Sequence, residues 1–215
     1  LGEQGGFDAI VGNPPYVRQE QLGPLKPFFQ AAFAETYSGT ADLFVYFFHQ
    51  GVKLLRAGGR LGYIASNSWL RANYATPLRA FMRQQVTVEQ LIDLGDNRVF
   101  ADAPDVYPAI PIVRKAAPPA DHGAQAATFS RGEGLREFDR QVAEKLAPVS
   151  IHDQADSGWQ LGADAGRRIL AKLFGSHATL GAVTEQRIYR GILTGLNDAF
   201  IIDQATRDRI VACDT

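Results

Sequence analysis

The chain has 215 residues, of which 46% are apolar and 21% charged; this balance excludes a disordered or collagen-like chain and fits one globular domain or slightly more. Lys and Arg total 22 against 23 Asp and Glu, so any affinity for nucleic acid must come from local basic patches. The single cysteine, Cys213, excludes a disulfide framework, and the four histidines lack metal-ligand spacing with it. No apolar run approaches the roughly 20 residues that cross a bilayer, so we expect a cytoplasmic protein without membrane contact or metal.

Strands and helices alternate along the first half of the chain. The pattern predicts strands over 7–12, 60–65, 88–94 and 107–114, and helices over 41–56, 76–85, 135–146 and 163–174. Such alternation predicts an α/β fold with a mostly parallel sheet. Because no helix separates the last two strands, we expect them to form an antiparallel hairpin at the far side of the sheet. Residues 116–127 have the composition of a loop or linker, and 188–203 that of the start of a second domain.

The sequence Asn-Pro-Pro-Tyr at 13–16 directly follows the first strand. Two successive prolines exclude helix and regular sheet pairing, which predicts a stiff loop at the carboxyl end of a strand, where open α/β sheets bind ligands. Such a loop can aim the Asn13 side-chain oxygen and the Pro14 carbonyl at one NH₂ group beside the Tyr16 ring. Holding both N–H bonds favours the tetrahedral nitrogen that attacks an electrophilic methyl carbon. A plain proline-rich turn is the alternative.

The run Phe-Asp-Ala-Ile-Val-Gly-Asn-Pro-Pro-Tyr at 7–16 resembles the fourth motif of S-adenosylmethionine-dependent N6-adenine DNA methyltransferases. Residues 41–47, 62–70 and 94–100 resemble that family's following helix, the next strand with its loop, and the eighth motif. Residues 189–200 are similar to the opening of the target-recognition domain in fused restriction-modification enzymes. Catalytic motifs that precede a recognition domain are the order of the γ class.

The resemblance implies an α/β fold that is the C-terminal half of a Rossmann-like methyltransferase sheet, followed by the start of a recognition domain. It divides the chain into a catalytic part (1–117), a linker and helix (118–158) and the beginning of the recognition domain (159–215). The implied activity is sequence-specific methylation of adenine N6 in double-stranded DNA, within a restriction-modification or phage-defence enzyme.

The resemblance also implies a role for each residue of the loop. Asn13 and Pro14 would accept the amino hydrogens of an adenine rotated out of the duplex, and Tyr16 would stack on that base. Phe100 would cover the other face of the base, with Tyr107 as the alternative. Base extrusion costs a few kcal/mol and aromatic stacking returns roughly 1–3 kcal/mol per base, so an aromatic pair is a sensible clamp.

S-Adenosyl-L-methionine is the implied cofactor, with Pro15 and Phe47 along its adenine; the alternative for Phe47 is an ordinary core aromatic. The family's glycine-rich cofactor motif and its acidic residue precede the fourth motif, and only six residues precede the strand at 7–12 here. We therefore expect the main pocket residues to be missing, this segment alone to be inactive, and the remainder of the parent polypeptide to be required.

Three arginines are candidates for DNA contact. Residues 60–85 contain four arginines and no acidic residue, and among them Arg71 is best placed to contact a phosphate beside the extruded base. Arg18, just after the proline loop, and Arg190, near the start of the recognition domain, are the others. A solvated helix face explains the arginine run equally well, and strand-end capping explains Arg190 equally well.

Two other functions stay open. Protein-glutamine and RNA N-methyltransferases share an Asn-Pro-Pro-Tyr loop that acts on a planar nitrogen, and the chemistry of the loop does not separate them from DNA enzymes. The insertion at 17–40 and the segment at 191–200 favour DNA. A non-catalytic DNA-binding or scaffold module is the third possibility.

Overall fold

The structure is a computed structural model. It describes residues 5–100, 106–119, 122–151, 154, 158–161, 172–173, 175–178, 180–185, 187 and 203–213. The chain divides into two compact units, Leu1–Arg168 and Ile169–Thr215. The predicted helix at 163–174 lies almost wholly outside the described residues. The segment 188–203, predicted to begin a second domain, lies outside them except for its last residue. The functional division of the chain at 117 and 158 stays a prediction.

The first unit is a sheet with helices packed against it. Its strands are β1 Phe7–Gly12, β2 Leu55–Tyr63, β3 Ala65–Ser66, β4 Thr87–Asp93, β5 Pro108–Arg114, β6 Ala124–Thr128 and β7 Ala147–Val149. Its helices are α1 Lys26–Ala32, α2 Leu43–Leu54, α3 Thr76–Gln85 and α4 Phe138–Lys145, with short 3₁₀ turns at Gln19–Leu25, Asn67–Leu70 and Asn73–Ala75. The second unit contains α5 Leu180–Val183 and α6 Gln204–Cys213. No helix among the described residues is both long and apolar enough to cross a membrane.

The sheet is mixed rather than mostly parallel. Its strand order is β1-β2-β5-β4-β6-β7, and β3 pairs with β5. The α/β fold and the antiparallel pairing of β4 with β5 are confirmed. The prediction of a mostly parallel sheet is wrong, because β5 returns without a crossover helix and inserts antiparallel between β2 and β4. The hairpin is also not at the edge, since β6 pairs with β4 and β7 continues the sheet beyond it.

The segment at 116–127 is only partly a loop, because its last residues begin β6. This strand pairs in parallel with β4, and its Ala124, Ala126 and Ala127 are buried. Composition assigns this segment to a linker because alanine has a low β-propensity. The strand forms nevertheless because it is buried in the sheet.

Helix α2 is buried against the sheet, as predicted. Its buried residues are Phe44, Val45, Tyr46, Phe48, His49, Gly51 and Val52. A Cβ atom at Gly51 would overlap the side chains of Leu61 and Tyr63, so glycine permits the close approach of this helix to β2. The helix ends at Leu54, earlier than predicted, because Leu55 turns extended, buries its side chain and pairs with Phe7 of β1. Helix α3 spans the predicted residues 76–85.

Candidate active site

The proline loop lies where β1 and β2 end, as the sequence predicts. The Ile64 amide donates to the Gly12 carbonyl at 3.0 Å, and the Val17 amide donates back to the Pro15 carbonyl at 3.0 Å. Pro14 is buried, whereas Asn13 and Pro15 are exposed. Burial of one proline fixes the loop while the amide of Asn13 faces solvent. Its side chain makes no hydrogen bond to another described residue, which leaves it available to a ligand.

Tyr16 and Phe100, the two rings expected to flank a base, are in direct contact. Their ring centroids are 5.4 Å apart and the planes are tilted by 52°. The Tyr16 hydroxyl donates to the Ile64 carbonyl at 3.3 Å, which holds the ring beside the loop. Burial raises the pKa of Tyr16 to about 12, so the phenol stays neutral at physiological pH. Tyr107 is half-buried and lines a different cleft, so Phe100 is the ring that this structure places against Tyr16.

The two rings touch each other, which leaves no room for a base between them. Two successive stacking contacts need about 6.8 Å between the outer planes, twice the ~3.4 Å spacing of stacked bases. A base could therefore enter only if Phe100 moved outward and turned to become parallel with Tyr16. The structure represents the closed form of the pair.

A cavity of about 220 Å³ adjoins the Tyr16 ring. It is lined by Tyr16, Arg18, Asp42, Phe44, Ser66, Ser68 and Val106. The Asp42 carboxylate accepts a hydrogen bond from the backbone amide of Gln19 at 2.9 Å. Burial raises the pKa of the Asp42 carboxyl. Sequence reasoning missed Asp42 as a site residue, although an aspartate directly before an apolar helix is a recognisable N-cap. Here its side chain ties the segment after the proline loop to α2 instead of capping the helix.

The loop that carries Phe100 is held by a buried polar network that sequence reasoning also missed. Asp93, at the end of β4, accepts from the Asn67 amide side chain at 2.9 Å and from the Gly95 backbone amide at 3.0 Å. The Asn67 backbone amide donates to the Tyr107 carbonyl at 2.6 Å. The loop after β3 and both ends of the Phe100 segment are thereby connected. A buried aspartate directly after an apolar strand was the available indication.

Phe47 is not a core aromatic, since 40% of its surface is exposed. It belongs to an apolar recess of about 160 Å³ lined by Phe28, Phe29, Phe33, Leu43, Tyr46, Phe47 and Gln50. Most of its lining is aromatic, a surface on which a flat heteroaromatic ring can stack. None of the described residues lining it carries a charge, so the recess offers no ion-pair partner for the carboxylate or the ammonium group of S-adenosylmethionine.

The structure separates the four arginines of residues 60–85. Arg60 pairs with a glutamate of β4 at 2.8 Å, and the buried Arg79 donates to carbonyls of the preceding loop. Arg83 donates to the Gln154 carbonyl at 3.0 Å. Arg71 is exposed and makes no ion pair with a described residue. The other three arginines bind carboxylates or carbonyls of the protein, so Arg71 is the one of the four whose guanidinium is best placed to bind a phosphate.

The other predicted DNA contacts have different positions. Arg18 is exposed and lines the cavity beside Tyr16, which places its guanidinium next to the proline loop. Arg190 lies outside the described residues, and so does the segment at 189–200 that resembles a recognition domain. A contact by Arg190 stays a prediction.

Comparison with known proteins finds a family that is similar to the segment carrying this site. Residues 2–100 match the Eco57I restriction-modification methylase family, a range that includes the proline loop and Phe100. The type II methyltransferase M.XhoI of Xanthomonas vasicola is 37% identical over 113 residues, which are 52% of this chain and 20% of that protein. M.PaeR7I of Pseudomonas aeruginosa, another type II methyltransferase, is 28% identical over 214 residues, 95% of this chain and 37% of that protein. The chain thus spans well under half the length of either relative.

Two solved structures share the fold. The DrdV–DNA complex superposes with a TM-score of 0.52 at 15% identity, over 74% of this chain and 18% of that one. A nuclease-deletion mutant of the type ISP restriction-modification enzyme LlaGI, solved with a DNA substrate mimic, gives 0.50 at 16% identity, over 71% and 18% of the two chains. The family match and the relatives agree: residues 2–100 of this chain are similar to the Eco57I restriction-modification methylases, and the chain is similar to type II methyltransferases.

Proposed function

We propose that this chain carries the catalytic loop of a site-specific DNA methyltransferase that methylates adenine N6 on a base rotated out of the duplex. The observation that carries the proposal is the exposed Asn13 amide, without a described partner, beside the Tyr16–Phe100 pair. An acceptor next to two aromatic rings suits a planar base that presents an NH₂ group. The DNA-bound forms of DrdV and LlaGI support a DNA substrate for this fold.

The proposed mechanism assigns Asn13 and Pro14 to the amino group of the base. The lone pair of an aromatic amine is delocalised into its ring, which makes the nitrogen a poor nucleophile. Two acceptors that hold both N–H bonds outside the ring plane would localise that lone pair and favour attack. The Tyr16 ring, anchored through its hydroxyl on Ile64, would stack on the base and set its plane.

S-Adenosylmethionine supplies the electrophilic methyl carbon when it is bound. Pro15 and Phe47, both exposed, would cover the adenine of this cofactor. Since the described residues of the recess offer no charged group, we propose that residues 1–215 alone bind the cofactor weakly and are inactive, and that the intact enzyme supplies the rest of its pocket. Calorimetric titration of the isolated chain should detect no tight binding, and a stoichiometric, tight isotherm would contradict this proposal.

The test of the reaction is Asn13→Ala in the intact enzyme. Loss of one preorganised hydrogen-bonding group in a transition state costs about 10²–10³ in rate, so methylation should fall at least about 100-fold. Binding of duplex DNA should stay within about twofold, because one neutral contact contributes little beside the phosphate contacts. Asn73→Ala is the matched control, since Asn73 is an exposed asparagine in a short turn outside the proline loop, and it should leave the rate unchanged.

The product identifies the reaction. Nucleosides from the treated duplex should contain N6-methyladenine when they are analysed by mass spectrometry. Methylated glutamine in protein substrates, or methylation confined to RNA, would instead support the other N-methyltransferase classes. A wild-type enzyme that binds DNA and methylates nothing would support the scaffold interpretation.

A further inference from the structure

A polar cleft of about 410 Å³ lies next to the Phe100 segment and has no role in the steps above. It is lined by Asp96, Asn97, Arg98, Tyr107, Arg131 and Gly132. Its two sides come from the loop after β4 and the loop after β6. The second of these loops follows the strand that the sequence analysis placed in a linker.

One buried side chain holds the two loops together. The Asn97 amide group donates to the carbonyls of Leu94 and Ser130, both at 2.8 Å, and its oxygen accepts from the Gly132 backbone amide at 2.9 Å. Arg98 directly follows Asn97, and Arg131 lies between the two residues of its loop that Asn97 binds. The same buried amide therefore places both arginines at one cleft.

A second contact makes this arrangement rigid. Gly95 has a φ of +56°, and a Cβ atom at this position would overlap the Phe129 carbonyl. The Phe129 backbone amide in turn donates to the Asp93 carbonyl at 2.9 Å. The cleft is thus preorganised by backbone contacts and does not depend on the long side chains that line it.

The charges of the cleft favour an anion. Arg98 and Arg131 are exposed, and neither forms an ion pair with a described residue. Arg56, Arg60, Arg114 and Arg140, in contrast, each pair with a carboxylate. The cleft holds one carboxylate, Asp96, against two guanidiniums, so its formal charge is positive. Guanidinium groups bind phosphate oxygens through two parallel hydrogen bonds.

We propose that this cleft binds the DNA backbone, with Arg98 and Arg131 contacting phosphodiester groups next to the extruded base. Arg98 is two residues from Phe100, so a bound phosphate would lie beside the nucleotide that the aromatic pair holds. This inference deepens the proposed function and rests on it. The contact positions the strand and carries no sequence information.

The test compares the double variant Arg98→Gln/Arg131→Gln with wild type in the intact protein. Binding of a fluorescein-labelled synthetic duplex is measured by anisotropy between about 50 and 200 mM NaCl. The slope of log K against log salt should decrease in magnitude by about 0.9 for each phosphate released, and affinity should fall about eightfold per phosphate at 0.1 M salt. The loss should be the same for duplexes of different sequence.

Arg136→Gln is the matched control, because Arg136 is an exposed arginine of the same region that does not line the cleft. Arg136→Gln should change neither the slope of log K against log salt nor the affinity for the duplex. Arg98→Lys/Arg131→Lys should recover part of the affinity, since the charge returns without the paired hydrogen bonds. Thermal unfolding of each variant should match wild type, because both substituted side chains are exposed.

Three results overturn the proposal: an unchanged salt slope in the double variant, an equal change in Arg136→Gln, or a loss restricted to one sequence. Titration of the free enzyme with inorganic phosphate at constant ionic strength should show no tight, saturable binding. Tight phosphate binding together with an unchanged salt slope in the double variant would assign the cleft to free phosphate and overturn the DNA contact. Adenine methylation is scored separately, so the cleft and the proposed reaction succeed or fail independently.

Discussion

The closed contact between Tyr16 and Phe100 makes a quantitative prediction for Phe100→Ala. In the proposed reaction a base replaces this contact and stacks on both rings. Removing the Phe100 ring deletes one stacking partner of the base, worth roughly 1–3 kcal/mol. The same change also removes the ring contact that wild type must break, worth about 0.5–1.5 kcal/mol.

The two effects oppose each other. We take about 2 kcal/mol for the lost stacking on the base and about 1 kcal/mol for the ring contact that no longer has to be broken. The net loss of binding free energy for the base is then about 1 kcal/mol, which is a roughly fivefold loss of affinity. If the rings were already separated in the free enzyme, no ring contact would have to be broken. Phe100→Ala would then lose the full stacking energy of about 2 kcal/mol, and base affinity would fall about thirtyfold. The size of the effect therefore tests whether the free enzyme is closed.

The assay is single-turnover transfer of a labelled methyl group to duplex DNA, fitted for kcat/KM. Tyr107→Ala tests the other candidate ring; since this ring lines the polar cleft and is not against Tyr16, it should lower kcat/KM less than Phe100→Ala does. Phe100→Ala should lower the free energy of unfolding by about 0.5–1.5 kcal/mol, because the contact with Tyr16 is lost. A larger loss in Tyr107→Ala than in Phe100→Ala would refute the assignment of the second ring. A loss beyond about seventyfold in Phe100→Ala would refute the closed pair, because the quoted ranges allow a closed pair a net loss of at most about 2.5 kcal/mol.

Two further predictions concern stability. Gly95→Ala should lower the free energy of unfolding by about 2–3 kcal/mol in urea denaturation, since alanine is strained at a φ of +56° and its Cβ would displace the Phe129 carbonyl. Burial, assisted by nearby Lys53 and opposed by Glu35, lowers the pKa of His49 below 6.5. The unfolded chain therefore binds this proton first, so unfolding free energy should fall as pH decreases below about 6.5 and level off below the native pKa.

Each stability prediction has its own control. Gly58 has a φ of +76°, and a Cβ atom there would meet only the end of a flexible arginine side chain, so Gly58→Ala should cost about 1–2 kcal/mol, less than Gly95→Ala. His49→Gln removes the titrating ring and should reduce the pH dependence in the window below 6.5. An unchanged pH profile in His49→Gln would show that other groups are responsible.

Local chemistry in the sequence was sufficient for the proline loop and for α3. Two prolines restrict the backbone at 13–16 whatever surrounds them. An apolar strand directly before them places the loop at the carboxyl end of that strand. Helix α3 has Pro77 in its first turn, which sets its start. The resemblance to one family singled out Tyr16 and Phe100, with Tyr107 as the alternative to Phe100, but it did not predict that the first two rings touch.

Long-range packing decided the rest. Whether β5 lies at an edge or inside the sheet depends on strand pairing between distant segments, and the alanine-rich β6 is held by pairing with β4 on one side and β7 on the other. The partners of each arginine depend in the same way on which carboxylates and carbonyls the fold brings near. The sequence by itself thus determined a stiff acceptor loop and the aromatic residues around it. Only the tertiary structure decided that the rings touch and that two arginines share a cleft, because both depend on loops far apart in the chain meeting through buried hydrogen bonds.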